Sequence, residues 1–237
     1  QDAGVDAYNV AIGFGAGENV TTGGDNTIVG AKAGDALTTG TRNTALGYEA
    51  LSTEDTGGRN VAIGYRTLFT QDAGTVYNVA VGYMAGYALT TGQENVIIGG
   101  LAGDAITGAN YNVVVGTSAM TSNATANKNV AIGWEALKTQ AVVGSVDTHA
   151  VAIGFEAGLN LTTGGDNTIV GSQAGLALID GANNTLIGRA AGDTLTTGDH
   201  NIVIGAGADP SAVGVNNEIT LGKATITALR CAVNTIT

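Results

Sequence analysis

The 237-residue chain has almost no proline and almost no cysteine, one of each. A lone proline, with no Gly-X-Y period, excludes collagen-like and polyproline chains. A lone cysteine, Cys231, excludes an intrachain disulfide framework and reads as a small buried hydrophobe, so stability must come from stacking, hydrogen-bond ladders or oligomerisation. Charge is sparse at 12%, and the 9 bases against 20 acids leave a net −11, too little positive charge to neutralise phosphates. Nucleic acid and anionic membranes are therefore excluded as expected partners. No apolar run approaches the ~18 residues of a membrane helix, and no basic-then-apolar leader opens the chain, so no membrane insertion is expected.

Glycine is abundant instead, 38 residues, and it is periodic. The motif is Asn, a small or β-branched residue, two apolar residues and Gly, as in Asn9-Val10-Ala11-Ile12-Gly13 and Asn60-Val61-Ala62-Ile63-Gly64. The glycines stand at Gly13, Gly30, Gly47, Gly64, Gly82, Gly99, Gly116, Gly133, Gly154, Gly171, Gly188, Gly205 and Gly222, in steps of 17 except one of 18 and one of 21. A short fixed period is the mark of a solenoid, whose units cannot bury a core alone and must stack. Thirteen coils at ~4.8 Å each span on the order of 60 Å. Residues 1–208 read as the repeat body and 209–237 as a C-terminal extended tip, because the 17-residue grammar loosens past Pro210. Gln1-Asp2-Ala3-Gly4 matches Gln71-Asp72-Ala73-Gly74, which suggests that the chain opens in mid-coil of a longer protein.

Within the motif, apolar residues alternate, as at Val10 and Ile12 or Val130 and Ile132, which predicts a strand. The residue between them is apolar too: Ala11, Ile28, Ala45, Ala62, Ile97, Val114. Both strand faces are then covered, one by the coil interior and one by something outside it, most economically another copy. The small alanines of the middle column suit close approach around an axis, which favours a homotrimer, although two-fold and higher cyclic packing fit the same pattern. The second half of the coil carries inward Ala and Leu, as at Ala33 and Leu37, and closes on Leu-Thr-Thr-Gly turns. Each coil therefore reads as strand, turn, short strand, turn. The Asn before the long strand is expected in a left-handed or bent conformation, with its side chains bonded along the fibre. A residue repeated eleven times has no catalytic reading.

The chemistry-bearing residues are few. His149 and His200 lie 51 residues apart in a variable column with Tyr8, Asp25, Arg42 and Arg59, which is expected to face water. No metal motif, nucleophile elbow or EF-hand loop occurs, so no cofactor, metal or enzyme activity is expected. Carboxylates in adjacent coils, Asp25 with Glu18 or Glu156 with Glu135, keep polysaccharide cleavage as a minority reading. The Thr-Thr pairs raise an ice-binding face, but they sit beside Gly in turns and are missing from several coils. The 21-residue step inserts Lys138 to Asp147 as a larger loop, a contact site or a tolerated slippage. Phe14, Tyr48, Tyr65, Tyr83, Trp134 and Phe155 all follow the repeat glycine and form a column. They are the candidate surface contacts, either for sugar rings or simply as covers for the strand-to-turn corner.

These Asn-Val-Ala-Ile-Gly repeats, with Ala-Leu and Thr-Thr-Gly between them, resemble over residues 9 to about 208 the head repeats of trimeric autotransporter adhesins, whose fold is a left-handed parallel β-roll. The coil of 17 is longer than the usual head repeat. Similar repeats occur in tail fibres of tailed bacteriophages. Ile219-Thr220-Leu221-Gly222, Thr227-Ala228-Leu229-Arg230-Cys231 and Asn234-Thr235-Ile236-Thr237 resemble the segment before the self-cleaving chaperone domain of those fibres. The resemblance implies an all-β, homotrimeric parallel β-roll or β-solenoid, intertwined or side by side. It implies a mature end at Thr237 after removal of that domain. It also implies a structural and adhesive part of a virion tail fibre that binds a bacterial surface glycan or outer-membrane protein and joins upstream tail proteins. The alternative is an adhesin head on a bacterial cell surface; a depolymerase is third.

Overall fold

The structure is a computed structural model, describing residues 7–72, 74, 76–123, 125–140 and 146–228. Cys231 and Thr237 lie outside the described residues. The β-branched stretch before each repeat glycine forms a strand of three residues. Thirteen of these, from Val10–Ile12 to Ile219–Leu221, stack in chain order into one parallel sheet. The register never slips: Val10, Thr27, Thr44 and Val61 align, and so do Val130 and Val151 across the longest step. The chain is an all-β solenoid, and no helix forms among the described residues.

Two expectations about the coil are corrected. The second strand is absent from most coils: the only other strands among the described residues, Ala126–Asn127 and Val146–Asp147, pair with each other at the enlarged loop. After the glycine the backbone turns left-handed twice in quick succession, as at Lys32 (φ 54°) and Gly34 (φ 51°), and no extended ladder survives such bends. Nor is the repeat Asn left-handed. The residue before it is, for instance Asp25 (φ 59°) and Arg59 (φ 62°).

A third correction concerns direction. Ile28, Ala45, Ala62, Ile97 and Val114, the middle column assigned above to a neighbouring copy, are fully buried inside their own chain. The flanking Val10, Ile12, Leu46, Ile98, Ile153 and Ile204 face outward. The reason is room: one coil encloses little more than a strand residue, an alanine and one large side chain, such as Ile28, Ala33 and Leu37, all fully buried. The middle residue, whether Ala45 or Ile28, fits that lumen, and the flanking pairs go outside.

The large side chain obeys a reciprocal rule. Where the fourth residue after the repeat glycine is Gly34, Gly103 or Gly158, the seventh is Leu37, Ile106 or Leu161. Where the fourth is Leu51, Leu68, Met120 or Leu137, the seventh is Glu54, Gln71, Asn123 or Gln140, all fully buried. A Cβ on Gly34 would lie 2.9 Å from Leu37 Cδ1 and one on Gly103 2.7 Å from Ile106 Cδ1, so the lumen accepts one or the other. The polar alternatives come in adjacent coils because a buried polar group needs a partner. Gln71 Nε2 donates to Glu54 (3.0 Å), whose carboxylate also accepts the Gly57 N–H (2.7 Å).

The asparagines hold successive coils together. Asn43 Oδ1 accepts the Asn60 N–H (3.0 Å), and Asn43 Nδ2 donates to the Gly57 carbonyl fourteen residues on (2.7 Å). The same pair of bonds recurs at Asn26, Asn78 and Asn95. Asn60 and Asn129 open the two lengthened steps, and their buried Nδ2 groups have no partner. Ala150 interrupts the column. Its N–H still reaches Asn129 Oδ1 (2.9 Å), but it offers Asn167 no oxygen in return. Ala150→Asn restores that bond and is expected to stabilise the chain by about 1 kcal/mol, a rise of a few degrees in the thermal midpoint. An unchanged or lower midpoint contradicts the stapling role.

Candidate functional site

The residue after the repeat glycine leaves the sheet on the outward side, and successive coils place it in line. Tyr48 stacks on Tyr65 with ring centroids 5.5 Å apart and planes 13° apart, and Tyr65 on Tyr83 at 5.3 Å and 6°. Trp134 and Phe155 form a second stack at 4.9 Å and 14°. Five of the six aromatic candidates are thus assembled into two ladders, while Phe14 stands alone at the first coil, 82% exposed. Each stack contributes about 0.5–1.5 kcal/mol beyond area burial. The ring faces inside a ladder are occupied by neighbouring rings, so only edges and ladder ends face outward.

A further stack escaped the sequence reading. Phe69 and Tyr87, each the fifth residue after its repeat glycine, lie 5.3 Å apart and 4° from parallel. The signal was available in that column at the same spacing. Arg66 bridges this stack to the first ladder, its guanidinium 5.3 Å from the Tyr65 ring and 5.3 Å from the Phe69 ring. It also pairs with Glu49 at 2.6 Å. Burial alone would raise the Glu49 carboxyl, but hydrogen bonds from Tyr48 and Arg66 outweigh it and hold the group below the ordinary carboxylate range.

The other candidates are engaged in ordinary surface chemistry. Glu135 pairs with Lys138 (2.6 Å), Glu156 accepts from Gln173 (2.8 Å), and Asp25 lies 3.6 Å from Arg42. His149 lies 3.4 Å from Asp166. His200 is exposed in the same outward column. Among the described residues no group of three His, Cys, Asp or Glu is placed to hold a metal. The first threonine of a turn pair donates its hydroxyl to a carbonyl of the next coil, as Thr90 to Thr107 (3.2 Å) and Thr162 to Ile179 (2.8 Å). The described part of the enlarged loop carries a Lys128–Asp147 ion pair.

Near the C-terminal end, burial, followed by the nearby Asp209 carboxylate, pushes the Asp193 carboxyl up from its ordinary value. A carboxyl raised by folding favours the folded state while it is protonated, and that contribution is lost as pH rises through the folded pKa. Asp193→Asn is therefore expected to raise the thermal midpoint at pH 7 and to have a smaller effect at pH 3. An equal effect at both values contradicts the cause.

No protein-family model matches this chain, and neither curated proteins nor solved structures give a match.

Proposed function

We propose that this chain is a rigid, non-enzymatic segment of a homotrimeric fibre, a structural and adhesive part of a bacteriophage tail that meets the bacterial surface. One observation carries the reading: an unbroken thirteen-strand solenoid whose outward sheet face is mostly apolar, broken only by threonines such as Thr27, Thr44, Thr168 and Thr185. Val10, Ile12, Leu46, Ile98, Ile153, Ile202, Ile204 and Leu221 are all exposed large hydrophobics on that face. A contiguous apolar stripe rimmed by polar residues marks an association surface. Two further copies of the same chain, set around an axis, cover it with identical register, since every copy presents the same columns at the same rise. The repeat motif and the C-terminal segments that resemble fibre proteins favour the phage setting. A trimeric adhesin head with the same sheet face is the second reading, favoured by the repeat motif itself.

Immunogold labelling separates the two. Antibodies raised against this polypeptide are expected to decorate the tails of phage particles from cultures that produce it. Decoration of the bacterial envelope, with bare tails, overturns the tail-fibre reading and favours the adhesin.

A further inference from the structure

Both aromatic columns stop at the same level. The ladder Tyr48–Tyr65–Tyr83 and the stack Phe69–Tyr87 end in the coil of Gly82, and the next coil carries Gly100 and Asp104 at the corresponding positions. The coil after it carries Thr117 and Thr121, and rings resume at Trp134. The ladder therefore lacks two successive rings, with an aromatic residue at either side of the gap. Tyr83, at the end of the ladder beside the gap, is 55% exposed. A side chain built at Gly100 would find no heavy atom within 4 Å of its Cβ, so the gap is open there.

From this geometry we infer that the break between Tyr83 and Trp134 is a binding site for a neutral hexopyranose glycan. The inference deepens the attachment reading above and rests on it for the setting in which a glycan is met. The Tyr83 face left without a neighbour is a flat platform for the axial C–H groups of a pyranose, and Trp134 offers a second platform two vacancies away. Between them, Thr117 and Ser118 supply hydroxyls. That mixture of ring faces and hydroxyl partners suits a sugar better than an aromatic side chain of a protein, which needs no polar surroundings. The surplus of acids over bases disfavours an acidic polysaccharide.

Trp134 is the only tryptophan, so its fluorescence reports on the site directly. The full chain is titrated with maltohexaose, cellohexaose and mannohexaose. Saturable change in Trp134 emission with at least one of them is expected. The double variant Gly100→Tyr/Thr117→Tyr fills both vacancies from exposed or open positions, is expected to hold or raise the thermal midpoint through the added stacks, and is expected to weaken that binding at least about tenfold, about 1.4 kcal/mol. Tyr83→Leu, which removes one platform, is expected to weaken it as well. No response to any of the three sugars, undiminished binding by the filled variant, or a response to N-acetylphenylalaninamide alone overturns the site. Labelling of phage tails is read independently, so a failed titration beside decorated tails removes the glycan site and leaves the fibre reading standing.

Discussion

Gly116→Ala is expected to destabilise the chain by about 3 kcal/mol or more, the combined cost of a glycine-only backbone conformation and an overpacked contact. Gly116 holds φ at +141°, and a Cβ there would lie 2.3 Å from the carbonyl oxygen of Gly133 in the next coil. That approach repeats up the solenoid, with Gly47 to Gly64 and Gly133 to Gly154 both at 2.2 Å. The contact is backbone against backbone, so no rotamer change relieves it. The neighbouring Gly100→Ala is the matched control. It meets open space, and its effect is expected to stay within about 0.5 kcal/mol. Thermal or denaturant unfolding of the two variants decides the matter: equal midpoints contradict the role given to the strand-end glycines, and loss of structure in Gly116→Ala alone supports it.

The second large effect lies on the outward face. Ile98→Glu with Ile153→Glu places two carboxylates per chain on the apolar stripe, three coils apart, where both side chains point away from the lumen and are exposed in the single chain. The solenoid itself is expected to keep its circular dichroism. In a trimer the same substitutions bring six carboxylates into an apolar seam, at several kcal/mol for each buried charge. Sedimentation velocity is expected to show single chains of 23.4 kDa. A species that sediments like the unsubstituted protein contradicts the use of this face.

Strand positions, inward alanines and inward leucines were legible because each leaves a column at a fixed period. The side of the strand that faces inward was not. Alternation identifies two faces but cannot orient them when Val10, Ala11 and Ile12 are all apolar. Lumen size decides between them, and it is set by how the left-handed residues close the coil. The reciprocity of Gly34 with Leu37 and of Leu51 with Glu54 was written in the sequence and already implied a lumen with room for one large side chain. The candidate column of Phe14, Tyr48, Tyr65, Tyr83, Trp134 and Phe155 was legible by its spacing. Its chemistry was not, because whether ring faces are free depends on which neighbours stack. The Phe69–Tyr87 stack and the Arg66 bridge needed the turn geometry that brings the first and fifth residues after the glycine to the same corner.

The most direct measurement is the mass of the unsubstituted chain in solution by multi-angle light scattering. Three copies closed around the apolar sheet faces give about 70 kDa, three times the 23.4 kDa chain. A stable mass of 23.4 kDa contradicts the proposed fibre assembly.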